Sequence, residues 1–107
     1  MDEISVMVCD DSALMRNLIG RIVDETNGLT VCGKAENGLD LLEKLKTTKA
    51  DVILLDIEMP KMNGVEFLKK RKELRIDVPV IILSSVATEG AAVTIECLDL
   101  GASDFIT

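Results

Sequence analysis

The chain has 107 residues, which suits one domain with a single core. Apolar residues make up 48% of it, aromatic residues 2%, and the formal net charge is −7. This composition argues against disorder, and the acidic balance argues against binding to nucleic acid. No apolar run approaches the roughly 20 residues that span a membrane, and the first residues are acidic, unlike those of a signal peptide. We therefore expect a cytoplasmic protein that does not insert into a membrane.

Histidine is absent, and the three cysteines, Cys9, Cys32 and Cys97, lie far apart. A zinc site is therefore not expected, and neither a Ser-His-Asp nor a Cys-His hydrolase site can be built from these residues. Each cysteine falls within a predicted strand or helix. We interpret all three as small buried side chains in a reducing compartment.

Apolar strand patterns alternate with helical patterns along the chain. The predicted strands are Ile4–Cys9, Leu29–Ala35, Val52–Leu55, Val80–Leu83 and Ser103–Ile106. The first predicted helix runs from Ala13 to roughly Thr26, with an apolar stripe of Met15, Leu18, Ile19, Ile22 and Val23. A second follows Asn37-Gly38 and buries Leu41, Leu42 and Leu45, a third runs from Gly64 to about Leu74, and a fourth carries Val93, Cys97 and Leu100. Strict alternation predicts a parallel sheet with right-handed crossovers.

The basic run 69–72 lies on the third predicted helix. No aromatic residue is interleaved with it, so we interpret it as a solvated helix face and not as a nucleic-acid patch.

Carboxylates follow two of the predicted strands. The apolar run 52–55 leads into Asp56, and Pro60 then prevents an immediate helix. An acidic residue at the carboxyl end of a parallel strand lies where open α/β sheets place their chemistry, although a plain surface aspartate is a common alternative. The first strand ends in Asp10-Asp11, after which Ser12 can cap a helix. If the first and third strands are neighbours, three carboxylates converge and require a divalent cation, and an all-oxygen ligand set favours Mg²⁺.

These motifs together resemble the receiver domain of bacterial response regulators over the whole chain, 1–107. The resemblance rests on Asp10-Asp11, on Asp56 with Met59-Pro60 and Gly64, and on Ser84-Ser85 after the fourth strand. The stretches 11–16, 55–60 and 84–107 are more narrowly similar to chemotaxis protein-glutamate methylesterases, in which such a receiver forms the N-terminal domain.

The resemblance implies roles for particular residues. Asp56 would be the nucleophile that accepts a phosphoryl group from a histidine kinase. Mg²⁺ would be bound by Asp11 and Asp56, by Asp10 directly or through water, and by the backbone carbonyl of Glu58. The hydroxyl of Ser84 would donate to a phosphoryl oxygen, although the residues alone also allow a helix-cap or loop serine.

Further implications concern the last residues and the fold. Phe105 would be the aromatic switch residue, although a half-buried strand phenylalanine fits equally well. The resemblance implies a flavodoxin-like doubly wound sheet of five parallel strands in the order 2-1-3-4-5. The family's lysine after the fifth strand would fall one residue beyond Thr107, and its final helix is absent from this chain. We therefore expect a C-terminally truncated domain, less stable than a longer chain.

The implied function is regulation of a methylesterase that removes methyl esters from chemoreceptor glutamates. A stand-alone chemotaxis receiver that acts as a phosphate sink is an alternative. A Mg²⁺-dependent phosphohydrolase with an aspartate nucleophile is another, but such enzymes use Asp-x-Asp and a cap that this chain has no room for. A flavin- or nucleotide-binding module would need a glycine-rich loop after the first strand, which the sequence lacks.

Overall fold

The computed structural model describes residues 3–83 and 96–106, the last two by their backbone. Its strands are β1 (Ile4–Cys9), β2 (Leu29–Ala35), β3 (Val52–Asp56), β4 (Val80–Leu83) and β5 (Asp104–Ile106). Its helices are α1 (Ala13–Asp24), α2 (Gly38–Leu45) and α3 (Gly64–Glu73), and residues 96–99 are also helical. Val93, predicted to belong to a fourth helix, lies outside the described residues.

All strand pairs are parallel, and the sheet order is β2-β1-β3-β4-β5. The predicted α/β class, the parallel sheet and the order 2-1-3-4 of the first four strands are confirmed. The fifth strand is short: its three residues pair with 81–83 of β4 at the edge of the sheet. The segments Val6–Cys9 of β1 and Val52–Leu55 of β3 are continuously apolar, as is typical of central parallel strands with helices on both faces.

The two faces of the sheet carry separate cores, and β1 contributes to both because successive side chains alternate between faces. Met7 and Cys9 belong to the larger core, beneath α2 and α3, in which Phe67 is the largest fully buried side chain. Val6 and Val8 form the smaller core with Val23 of α1. Cys9 and Cys97 are buried as predicted, and Cys32 is partly buried.

The predicted apolar stripe of α1 is only partly covered. Val23 is buried and Ile19 packs against the smaller core, whereas Met15, Leu18 and Ile22 are 41%, 46% and 57% exposed. Among the described residues, the sheet therefore covers only part of the apolar stripe of this helix.

The basic run on α3 is mostly a solvated face, as predicted. Lys69, Lys70 and Lys72 are exposed. Arg71 differs, because its Nε and Nη2 donate to the carbonyl oxygen of Val78 at 3.1 and 2.8 Å and tie α3 to the loop before β4. None of the helices in the described ranges has the length and apolar composition that a membrane span requires.

Candidate functional site

Three acidic side chains meet at the carboxyl edge of the sheet. Carboxylate oxygens of Asp10, Asp11 and Asp56 all lie within 4.8 Å of one another. The strand register explains this: Cys9 of β1 pairs with Leu55 of β3, and the residues that follow them are Asp10 and Asp56. Asp10 and Asp56 are 7% and 9% exposed, while Asp11 is exposed. The convergence predicted from the sequence is therefore present in the structure.

Asp10 is held by bonds to three different parts of the chain. Its backbone amide donates to the carbonyl of Ala35 at 3.0 Å, which extends the β1–β2 pairing. Its Oδ1 accepts from the amide of Ser12 at 2.9 Å, in a turn that leads into α1. Its carbonyl oxygen accepts from Nη1 of Arg16 at 2.7 Å. Ser12 also caps α1 as predicted, because its hydroxyl accepts from the amide of Met15.

Asp56 ends β3 and is followed by a loop, 57–63, that leads into α3. The amides of Ile57 and Glu58 lower the pKa of the Asp56 carboxylate, against the larger effect of burial. The amide of Gly64, the first residue of α3, donates to the carbonyl of Ile57 at 2.7 Å and closes the loop. Asn63 and Glu66 form a reciprocal capping box that fixes the start of this helix. The loop is thereby fixed at both ends.

The loop after β3 is also anchored to α2. The amide of Gly38 donates to the carbonyl of Met62 at 2.9 Å. A Cβ on Gly38 would lie 2.5 Å from Cγ of Met62, so only glycine allows this approach. Asn37 caps α2 through its side chain, which accepts from the amide of Asp40. The loops that carry the site are therefore bonded to their neighbours.

The electrostatics of the cluster show a shortage of positive charge. Burial, together with the charges of Asp10 and Asp11, raises the pKa of Asp56 to about 6, against the opposing effect of the amides of Ile57 and Glu58. Burial, together with the neighbouring Asp11, also raises the pKa of Asp10, and the amide of Ser12 opposes the rise. Among the ion pairs of the described residues, none involves these three carboxylates. The cluster therefore favours either a proton or a cation.

The donor set fits a hard divalent cation. All side-chain ligands are carboxylate oxygens, and no histidine exists in the chain. Mg²⁺ prefers such oxygens and keeps several waters, which an exposed position such as that of Asp11 allows. An open groove of ≈ 530 Å³ adjoins the cluster and is lined by Asp11, Ile57, Glu58, Met59, Pro60, Asn63 and Val65. Glu58 and Asp11 line the same groove, and the carbonyl of Glu58 remains a predicted ligand.

Two predicted residues are not located by the structure. Ser84 lies outside the described residues. Phe105 belongs to β5 by its backbone, and its side chain lies outside the description. The last residue of β4, Leu83, pairs with Asp56. The predicted roles of Ser84 and Phe105 remain predictions.

Sequence reasoning missed the bond between Arg16 and Asp10. A signal was available, because a basic residue close to the beginning of a helix is disfavoured by the helix dipole and calls for another partner. A second groove, of ≈ 610 Å³, lies at the opposite edge of the sheet between α2 and the loop before β4. Its lining is mostly apolar and includes no carboxylate. It therefore offers no second acidic centre.

A parallel α/β sheet with three carboxylates at its carboxyl edge is a combination that can be compared with known protein families. A family model described as the response regulator receiver domain matches residues 6–107. The chain therefore belongs to the response regulator receiver family. The confirmed sheet order and the three converging carboxylates are consistent with that membership.

Within the family, the chain is similar to receivers of chemotaxis methylesterases. It is 60% identical over 107 residues to the protein-glutamate methylesterase/protein-glutamine glutaminase of Treponema denticola, covering 100% of this chain and 29% of the relative. It is 58% identical over 106 residues to the protein of the same name from Treponema pallidum, covering 99% of this chain and 26% of the relative. The chain thus spans less than a third of the length of these relatives.

Solved structures agree with this similarity. The response regulator domain of Thermotoga maritima CheB superposes with a TM-score of 0.86 at 47% identity, covering 98% of this chain and 78% of that one. A chain from the crystal structure of the P1 domain of CheA3 in complex with CheY6 of R. sphaeroides gives a TM-score of 0.81 at 36% identity, covering 99% and 82%.

Proposed function

We propose that this domain is a Mg²⁺-dependent phospho-acceptor and that Asp56 accepts the phosphoryl group from a histidine kinase. The observation that carries the proposal is the convergence of the carboxylates of Asp10, Asp11 and Asp56 within 4.8 Å at one edge of the sheet. Like charges at such a separation repel, so a grouping of two buried and one exposed aspartate favours a bound cation. Similarity to a chain from a complex that contains the P1 domain of CheA3 supports a kinase as the donor.

The cation has a defined place in this proposal. The carboxylates of Asp10, Asp11 and Asp56 and the backbone carbonyl of Glu58 would hold a Mg²⁺ ion, which supplies positive charge against the carboxylates and the incoming phosphoryl oxygens. With Asp11 exposed and Asp10 buried, we propose Asp11 as a direct ligand and Asp10 as a ligand that acts directly or through water.

Asp56 is the proposed nucleophile because its carboxylate is buried at the end of β3, beside those of Asp10 and Asp11. With a pKa of about 6, it is mostly ionised at neutral pH and able to attack phosphorus. A new bond forms between its oxygen and phosphorus, while the bond from phosphorus to the donor nitrogen breaks. The amides of Ile57 and Glu58 lower the pKa of this carboxylate and so favour its ionised, nucleophilic form.

Two further residues belong to the proposal on the strength of the family resemblance. The hydroxyl of Ser84 would donate to a phosphoryl oxygen on Asp56, and Phe105 would change rotamer in response. Such a pair would carry the signal from the acidic edge to the outer strand of the sheet.

We propose that the domain regulates a protein-glutamate methylesterase in the cytoplasm. Relatives 58% and 60% identical carry that name, and this chain matches 26% and 29% of their length. The remaining length of such a protein would hold the esterase, through which chemoreceptors would be reached. A stand-alone chemotaxis receiver is the alternative. The residues that follow position 107 in the gene distinguish the two.

Incubation with a small phosphodonor and MgCl₂, followed by intact-mass measurement, tests the phospho-acceptor proposal. We expect one added phosphoryl group on the wild-type chain, mapped to Asp56, and none on Asp56→Asn. Omission of MgCl₂ should abolish the labelling. Full labelling of a folded Asp56→Asn chain would reject the assignment. Many turnovers of donor per chain would instead support the phosphohydrolase.

A further inference from the structure

Arg16 makes a contact that the phospho-acceptor chemistry does not by itself require. It lies one turn into α1, where its backbone amide donates to the carbonyl of Ser12 at 2.9 Å. Its side chain turns back over the start of the helix, and Nη1 donates to the carbonyl oxygen of Asp10 at 2.7 Å. The side chain is half-buried. The residue thus links the first turn of α1 to the end of β1.

The position is unfavourable for a cation on helical grounds alone. The N-terminal end of a helix carries a partial positive charge, which favours acidic residues there. The first turn of α1 has no acidic residue. Arg21, in the last turn of the same helix, has the favourable placement. The bond to Asp10 therefore offers a reason for arginine at position 16 that the helix does not.

This bond fixes a peptide plane that bears on the metal site. Asp10 lies past the last residue of β1, and its amide is held by Ala35. The carbonyl that Arg16 binds belongs to the peptide between Asp10 and Asp11. Because a peptide group is planar, holding this oxygen sets the direction in which the backbone of Asp11 leaves. The exposed carboxylate of Asp11 is thereby attached to a backbone whose direction is fixed.

The guanidinium leaves the carboxylates available. Of the ion pairs within the described ranges, none includes Arg16. Its bond goes to a backbone oxygen and therefore does not take up a carboxylate oxygen that a cation needs. We propose that Arg16 is a positioning residue for the cation site, acting through the Asp10 carbonyl to orient Asp11. The inference rests on the proposed function, because it assigns Asp11 to Mg²⁺.

Positioning and simple electrostatics predict opposite results. If Arg16 acted only as a nearby positive charge, its removal would strengthen Mg²⁺ binding, because like charges repel. If it positions Asp11, its removal weakens binding. Residues that orient metal ligands typically contribute about 10- to 100-fold to affinity. The sign of the change is therefore diagnostic.

The test is a titration of the ¹⁵N-labelled chain with MgCl₂, followed by two-dimensional NMR, which reports folding and affinity in one measurement. Arg16→Gln removes the charge and the guanidinium, and Arg16→Lys keeps the charge with a shorter donor. Arg21→Gln is the matched control, since it makes the same charge change at the other end of α1. We expect Mg²⁺ affinity to fall roughly tenfold or more in Arg16→Gln, to fall less in Arg16→Lys and to stay unchanged in Arg21→Gln.

The outcomes separate this inference from the proposed function. Absence of Mg²⁺ binding by the wild-type chain rejects the proposed function itself. Wild-type binding with an unchanged or higher affinity in Arg16→Gln rejects the role of Arg16 alone. If both Arg16 variants lose the dispersed spectrum of a folded domain while Arg21→Gln retains it, Arg16 is needed for folding. The proposed positioning role of Arg16 is then also rejected. As a second readout, saturating MgCl₂ should restore the phosphorylation rate of Arg16→Gln.

Discussion

Gly64 packs directly against the backbone of Asp56. A Cβ built on Gly64 would lie 2.8 Å from the carbonyl oxygen of Asp56 and 2.9 Å from Cα of Ile57. Both atoms belong to the backbone and cannot turn aside as a side chain could. The first turn of α3 is therefore fitted to the acidic loop at a distance that only glycine permits.

We predict that Gly64→Ala destabilises the domain by about 1–3 kcal/mol, because the loop after β3 must shift to admit the methyl group. The shift would also displace the backbone of Asp56 and Ile57, so phosphorylation should slow. Urea melts and the rate of labelling by a phosphodonor measure the two effects. Lys69→Ala, on the exposed face of the same helix, should change stability by less than about 0.5 kcal/mol. Equal losses in the two variants would contradict the close fit.

The raised pKa of Asp56 predicts a pH dependence of stability. Its value is about 6 in the folded domain against a reference of 3.8, so the folded state binds the proton more tightly. Stability from this group is therefore present below pH 3.8 and is lost as pH rises through 6. The asparagine of Asp56→Asn does not titrate, so the variant should not lose this stability as the pH rises.

Chemical melts between about pH 4 and pH 7.5, without divalent cations, measure this effect. As the pH rises, the free energy of unfolding of Asp56→Asn should increase relative to that of the wild type. At pH values above the folded pKa the increase should reach about 1–2 kcal/mol, after allowance for solvent screening. The difference should be small at the acid end. A constant difference between Asp56→Asn and the wild type at all pH values would be inconsistent with the raised pKa.

Magnesium should stabilise the folded domain because it relieves repulsion among carboxylates that are close only after folding. At ten times the dissociation constant, the gain is about 1.4 kcal/mol by mass action. For a domain of this size that corresponds to a rise in melting temperature of roughly 5–10 °C. Asp11→Ala should remove most of the rise, and Asp104→Ala should not. An equal rise in Asp11→Ala would argue against Asp11 as a ligand.

Phe67 should be the most costly side chain to truncate among the large buried residues described. It is 0% exposed and is the largest of the fully buried side chains. Phe67→Ala removes a ring from the larger core and should cost about 3–5 kcal/mol, whereas Phe67→Leu should cost less. Leu74→Ala, at a position that is 55% exposed, is the control and should cost under about 1 kcal/mol. Equal losses at the two positions, read from urea midpoints, would contradict the core assignment.

Local patterns were sufficient to predict the elements that the structure describes. Periodicity and caps depend on neighbouring residues, so β1, β2 and β4 begin and end where the sequence predicts. Helix ends follow less closely from the sequence: α1 ends at Asp24, two residues before the predicted end at about Thr26, because helix ends fray and no single residue marks the last turn. Ser12 was correctly identified as a cap from its position alone.

The sequence alone determined which residues could form an acidic site, because two apolar strands each run into aspartate. Only the tertiary structure decided that the three carboxylates lie within 4.8 Å, since this depends on the β1–β3 register. Burial of Asp56, the contact of Gly64 with its carbonyl and the reach of Arg16 to Asp10 likewise needed the folded chain. Periodicity records how each element faces a core. Distances between elements instead depend on how strands pair and helices pack, and these distances cannot be read from neighbouring residues in the sequence.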